Sequence, residues 1–332
     1  MNVLRLIFVA VLLLSPVVPA QQQGPVAPAV AAVPAVPAGE FIKAVIANEL
    51  GDRTQQRKWM YVIERRVGSQ SITGEQVETP NGPLYRVLTM DGIPLTPGQR
   101  HQDDARIDRL LHDTGQQQKL KQQYDDDEQK LESLMRVMPG AFLYEYDGVD
   151  GNLVRLKFRP NPDYDSPTYE ARVVHSLAGI VLIDGQQMRL ARLSGQLVDR
   201  VDFGYGLLGH IDSGGTMEIG RSQAGPSQWK TSLFNIQLSG RMVFFKTISK
   251  QQYEVRSQFR EVPGDLSLSQ ANKLLVSSTQ HASGPEIPHN DPATTPAGGP
   301  GFLVAVATWA QPGKTARRNG APGRSHPLRL RE

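Results

Sequence analysis

The chain has 332 residues, a formal net charge of +3, seven histidines and no cysteine. The absence of cysteine excludes disulfides, thiol catalysis, Cys-ligated metals and a lipid-modified cysteine, so stability must come from buried apolar area. Part of the basic excess lies in Lys314, Arg317, Arg318, Arg324, Arg329 and Arg331, so the pI says little about the core and nucleic-acid binding is not expected.

Residues 1–5 carry one positive side chain, Arg5, residues 6–14 (LIFVAVLLL) are wholly apolar, and Val18-Pro19-Ala20 closes on small residues. That is the three-part pattern of an export signal. The apolar run is about half the roughly 20 residues a spanning helix needs. Residues 1–20 are therefore expected to be a signal peptide cleaved near Ala20, giving a periplasmic or secreted chain with no integral membrane span. Residues 21–39 (QQQGPVAPAVAAVPAVPAG) space prolines among alanines and valines, a composition that favours an extended linker over a packed element.

From Glu40 the character changes. Phe41, Ala44, Val45, Ala47 and Leu50 recur at helical spacing ahead of Gly51-Asp52, which predicts an amphipathic helix. Trp59, Tyr61 and Ile63 then alternate with Met60, Val62 and Glu64 as a strand does. A second run at 74–79 meets Pro80-Asn81-Gly82-Pro83 and returns over 84–90, a hairpin signal because Asn-Gly readily takes positive φ. Residues 101–138 are rich in Gln, Asp, Lys and Leu and read as one or two exposed helices ending at Pro139-Gly140. Asp125-Asp126-Asp127-Glu128 inside them lacks the interleaved spacing and central glycine of a calcium loop, and reads as a solvated helix face.

After Gly140 strand follows strand: 142–146, 153–159, 170–174, 177–183, 187–193, 196–203, 216–221, 229–238, 242–249 and 253–260. Asp184-Gly185 and Ser194-Gly195 are expected as turns, and such short connections imply antiparallel pairing. Ten or eleven strands in one sheet tend to curl or close. Residues 266–275 read as a short helix capped near Asp265 or Ser267. From 276 to 332 Pro, Gly, Thr and Arg dominate, the composition of a disordered tail. The fold expected over 40–275 is α+β, mainly antiparallel β, with a strongly curved, open-barrel-like sheet covered by helices.

No motif carries catalysis. The histidines His101, His112, His175, His210, His281, His289 and His326 lack ligand spacing, so no metal or cofactor is expected. Gly204-x-Gly206-x-x-Gly209 has dinucleotide spacing, but Asp212-Ser213-Gly214-Gly215 follows where a phosphate-binding helix should begin. Asp163 and Asp165, between prolines, suit loop solvation better than the paired carboxylates of a glycosidase. The alternating aromatics Trp59, Tyr61, Phe142, Phe158, Phe234 and Phe244 are candidates to line a ligand cavity, with ordinary core packing as the competing explanation.

This order of elements resembles the periplasmic outer-membrane lipoprotein-sorting (LolA/LolB-like) superfamily. The likeness is strongest over 141–263, especially Thr231-Ser232-Leu233-Phe234-Asn235-Ile236-Gln237-Leu238-Ser239-Gly240-Arg241, 242–248 and Tyr253-Glu254-Val255-Arg256-Ser257-Gln258-Phe259-Arg260-Glu261-Val262-Pro263. It implies a half-open barrel under helices, enclosing an apolar cavity for acyl chains and holding no catalytic residues. The expected protein is thus a monomeric, non-enzymatic binder of a hydrophobic ligand, either lipid or lipoprotein. The Gln/Asp-rich helical stretch departs from the apolar lid of that superfamily. An envelope interaction or sensor module, using 101–138 as its contact surface, is the alternative.

Overall fold

The computed structural model describes residues 32–281, apart from 54, 56, 206, 243 and 244. The expected signal peptide, most of the linker and the tail from 282 lie outside the described residues.

Helix α1 (Ala38–Arg53) buries Ala38, Phe41, Ile42, Val45, Ile46 and Glu49. This stripe recurs every three to four residues, so one face meets the sheet. Ala44 and Ala47, expected on that face, are exposed. Strands β1 (Lys58–Val67), β2 (Gln70–Val77), β3 (Leu84–Met90) and β4 (Ile93–Pro94) form a meander. The turn between β2 and β3 is the expected one: Gly82 has φ +97° and its N–H donates to Thr79 O at 3.2 Å.

The helical stretch is two helices. Helix α2 (Pro97–His112) begins earlier than the sequence reading because Thr96 and Gln99 form a reciprocal capping box with Pro97 behind it. Asp113 then accepts from Gln116 N at 3.0 Å and starts α3 (Thr114–Ala141). Pro139 lies inside the last turn of α3 instead of ending it, and the chain becomes extended only at Phe142. The 28 residues of α3 make a rod about 42 Å long.

Strands β5 (Phe142–Asp150) and β6 (Leu153–Pro160) form the next hairpin. Residues 170–174, expected as a strand, instead belong to helix α4 (Tyr169–His175). The reason is local: the Thr168 hydroxyl accepts from Ala171 N at 3.1 Å, a cap that starts a helix where the sequence has no strict alternation. Then come β7 (Leu177–Asp184), β8 (Arg189–Leu197), β9 (Val201–Phe203), β10 (Gly209–Ile211), β11 (Thr216–Gln223), β12 (Trp229–Met242), β13 (Phe245–Val262) and α5 (Leu268–His281). The last helix is capped by Ser267 and Gln270 and carries the folded region beyond 275. The glycine-rich 204–209 stretch connects the short antiparallel strands β9 and β10.

Ser194-Gly195 is not a turn. Both residues lie within β8, where Gly195 stands opposite Gly179 of β7 and Met217 of β11. Two facing glycines let the backbones approach where a side chain would not fit.

The strands make one antiparallel sheet of 13, in the order β4-β3-β2-β1-β13-β12-β11-β8-β7-β6-β5, with β10 pairing β12 and β9. Among the described residues its edges β4 and β5 do not pair, so the sheet is open and not a closed barrel. The main core joins α1, α3 and α4 to β5–β8, β11 and β12. A second cluster packs α2 and α5 against the β1–β3 end. Helix α3 bridges the two, since Leu120 packs on the second cluster and Leu134 belongs to the main one.

Candidate functional site: a cavity under helix α3

A cavity of about 810 Å³ lies between α3 and the sheet. Its lining changes character along the helix. From Leu131 through Leu134 and Met135 to Met138, α3 faces Phe142, Phe158, Leu177, Leu193 and Met217, so this section is apolar. From Lys121 to Glu128 the lining is polar, and there α3 meets α1 and the start of β1.

Ion pairs surround the polar section. Arg53 of α1 pairs with Glu128 of α3. The Lys58 ammonium of β1 donates to the Tyr124 hydroxyl at 3.1 Å. Lys230 of β12 pairs with Glu78 at 3.1 Å. Burial pushes the Glu128 carboxyl above the usual carboxylate range against the pull of Arg53. It also pushes the Lys58 ammonium below the usual lysine value, against Glu78 and Glu128. Burial raises the Tyr124 hydroxyl as well, so it stays protonated.

The floor beside this section is a second network. Gln76 Nε2 donates to the Tyr61 hydroxyl at 2.6 Å, and Arg65 Nε and Arg256 Nε donate to Glu254 at 2.7 and 2.6 Å. Burial alone would raise the Glu254 carboxyl, but Arg256 and Arg65 outweigh it and hold it below the usual range. A third group, Glu49 with Arg189 and Arg221, fixes α1 to β8 and β11.

Four of the sequence-derived aromatics, Trp59, Tyr61, Phe142 and Phe158, line the cavity. Phe142 and Phe158 meet edge to face with centroids 5.0 Å apart. Phe234 stands in register with the lining residues Ile219 and Glu254, but is itself packed into the main core. Phe244 lies outside the described residues. Asp163 and Asp165 are exposed in the loop before α4. The acidic run of α3 is divided: Asp126 is exposed, while Asp125, Asp127 and Glu128 line the cavity.

The charged lining, above all Lys58, Glu78, Glu128 and Lys230, was invisible to motif reading, because long-range strand pairing and the crossing of α3 bring it together. Only the switch along α3 from Asp/Glu at 125–128 to Leu/Met at 131–138 announces two kinds of lining. No helix among the described residues is long and apolar enough to cross a membrane. Compared with protein families, curated proteins and solved structures, the chain matches none.

Proposed function

We propose that this chain is a non-enzymatic extracytoplasmic protein that binds a hydrophobic ligand, lipid or lipoprotein acyl chains, between a curved, half-open sheet and α3. The single observation that carries this reading is the cavity of about 810 Å³ with an apolar section. Protein interiors pack to roughly 0.74–0.76 of their volume and leave few voids larger than a water molecule. A space this size is therefore not a packing remainder, and it falls in the range of about 300–1,000 Å³ typical of small-molecule sites. The LolA/LolB-like order of elements supports the same reading, and the export pattern of residues 1–20 supplies its setting.

The test is direct. Full-length protein, expressed for export and purified without detergent, should release lipid into an organic extract analysed by mass spectrometry, and should bind a fluorescent fatty-acid analogue. Absence of both retained lipid and probe binding would refute the proposal.

A further inference from the structure

Resting on that lipid-binding reading, we infer that the ligand is a single-chain amphiphile with an anionic head, its chain along the apolar section and its head at Lys58. Size comes first. The cavity's volume of about 810 Å³ lies in the range of about 300–1,000 Å³ typical of sites for small ligands. A single-chain amphiphile is of that size class, and a diacyl phospholipid is more than twice as large. Length agrees. Glu128 to Met138 spans about 15 Å of helix, close to the reach of one chain in half of a bilayer's ~30 Å hydrocarbon core.

The sign of the head follows from which polar groups already have partners. Glu128 is held by Arg53, and Glu78 by Lys230. Lys58 lines the same section, yet among the described residues its ammonium has one hydroxyl acceptor, Tyr124, and no carboxylate within ion-pair distance. Next to it, the Trp59 indole N–H is buried with no hydrogen-bond partner. Four more lining side chains hold buried polar atoms without a hydrogen-bond partner, Asp52 Oδ1, Arg221 Nε, Gln228 Oε1 and Thr231 Oγ1, of which Asp52 is ion-paired with Arg189. The Trp59 and Arg221 N–H donors are among them, and buried donors left unpaired are costly. A carboxylate or phosphate oxygen placed at Lys58 supplies the missing acceptor, and the partial desolvation that lowers its ammonium makes that contact stronger than it would be in water.

The experiment is displacement of the fluorescent fatty-acid analogue from the full chain by palmitate, hexadecyl phosphate, hexadecanol, hexadecyltrimethylammonium and a diacyl phosphatidylglycerol. One or both anionic single-chain compounds should bind tighter than hexadecanol and the cation by about tenfold or more, the scale of one charged hydrogen bond. Their ranking tells a carboxylate from a phosphate head. Lys58→Met should abolish the preference while hexadecanol binds as before, which also shows that the variant is folded. Equal binding of hexadecanol, equal displacement by the diacyl lipid, or a preference that survives Lys58→Met would overturn the inference and leave the lipid-binding reading standing. Failure of every compound and of the probe would remove both.

Discussion

Glu49 Oε1 lies 2.6 Å from Arg221 Nη1, so a carboxylate on α1 reaches a guanidinium on β11. The same carboxylate accepts from Leu190 N at 2.9 Å and from Arg189 Nη1 at 3.2 Å. Glu49 is 3% exposed, which makes this a buried cluster joining the helix to two strands. Removing one partner of a buried pair leaves the others uncompensated, at a cost of roughly 3–5 kcal/mol. Glu49→Ala should lower the urea midpoint accordingly, and Glu49→Gln should do so less because an acceptor for Leu190 N remains. Equal midpoints for Glu49→Ala and the parent would show that the cluster holds nothing together.

Acid should weaken the protein through Glu254 and not through Glu128. The Glu254 carboxyl is held low by Arg256 and Arg65 against its burial. Its contribution is complete above the ordinary glutamate value of about 4.3 and is lost as pH falls through the lower folded value. Glu128 has the opposite sign. Burial raises it, so the folded chain takes up its proton first and gains stability from that residue as pH falls through the raised value. Melting followed by circular dichroism should show Glu254→Gln less stable than the parent by a constant margin above about pH 5, narrowing below it. A margin that widens towards acid would contradict the assignment.

The glycine pair in the middle of the sheet should be unequal under substitution. A Cβ on Gly179 would collide with the carbonyl oxygen of Ser194 and lie 2.7 Å from Gly195 Cα, both fixed backbone. A Cβ on Gly195 would meet Phe158 Cζ at 3.2 Å, a side chain at the cavity wall and not fixed backbone. Overpacking costs typically ~1–3 kcal/mol. Gly179→Ala should fall at or above the top of that range and Gly195→Ala near its bottom, as read from chemical denaturation. The reverse order would mean that the two strands do not approach as closely as the register requires.

The alternation of Trp59, Tyr61 and Ile63 marked β1, and Asn81-Gly82 marked the turn between β2 and β3, because both signals are local. Ser194-Gly195 misled for the same reason: a pair that usually bends the chain is straight here, and its partner Gly179 is distant in sequence. Residues 170–174 misled because the Thr168 cap outweighed their β-branched valines. At the candidate site the aromatic residues were visible as alternating positions, whereas Lys58, Glu78, Tyr124 and Lys230 meet only after α3 has crossed from β1 towards β5.

Helix α3 also supplies the sharpest test of where a ligand sits. Met138 is half-buried at the apolar end of the cavity, where a larger side chain enters empty space instead of a filled core. Overpacking at a filled position destabilises; at Met138 the loss should stay under about 1.5 kcal/mol, the range of tolerated apolar exchanges. The indole should shorten the space for an alkyl chain. Met138→Trp should therefore weaken binding of a sixteen-carbon carboxylate by about tenfold or more, while a ten-carbon chain, ending short of Met138, keeps its affinity. This follows from chain position alone, since loss of a few buried methylenes, each worth ~0.8 kcal/mol, is enough for that factor. Titration calorimetry with the two chain lengths measures it. If both chains lose affinity equally, the tail does not run towards Met138 and the orientation along α3 is wrong.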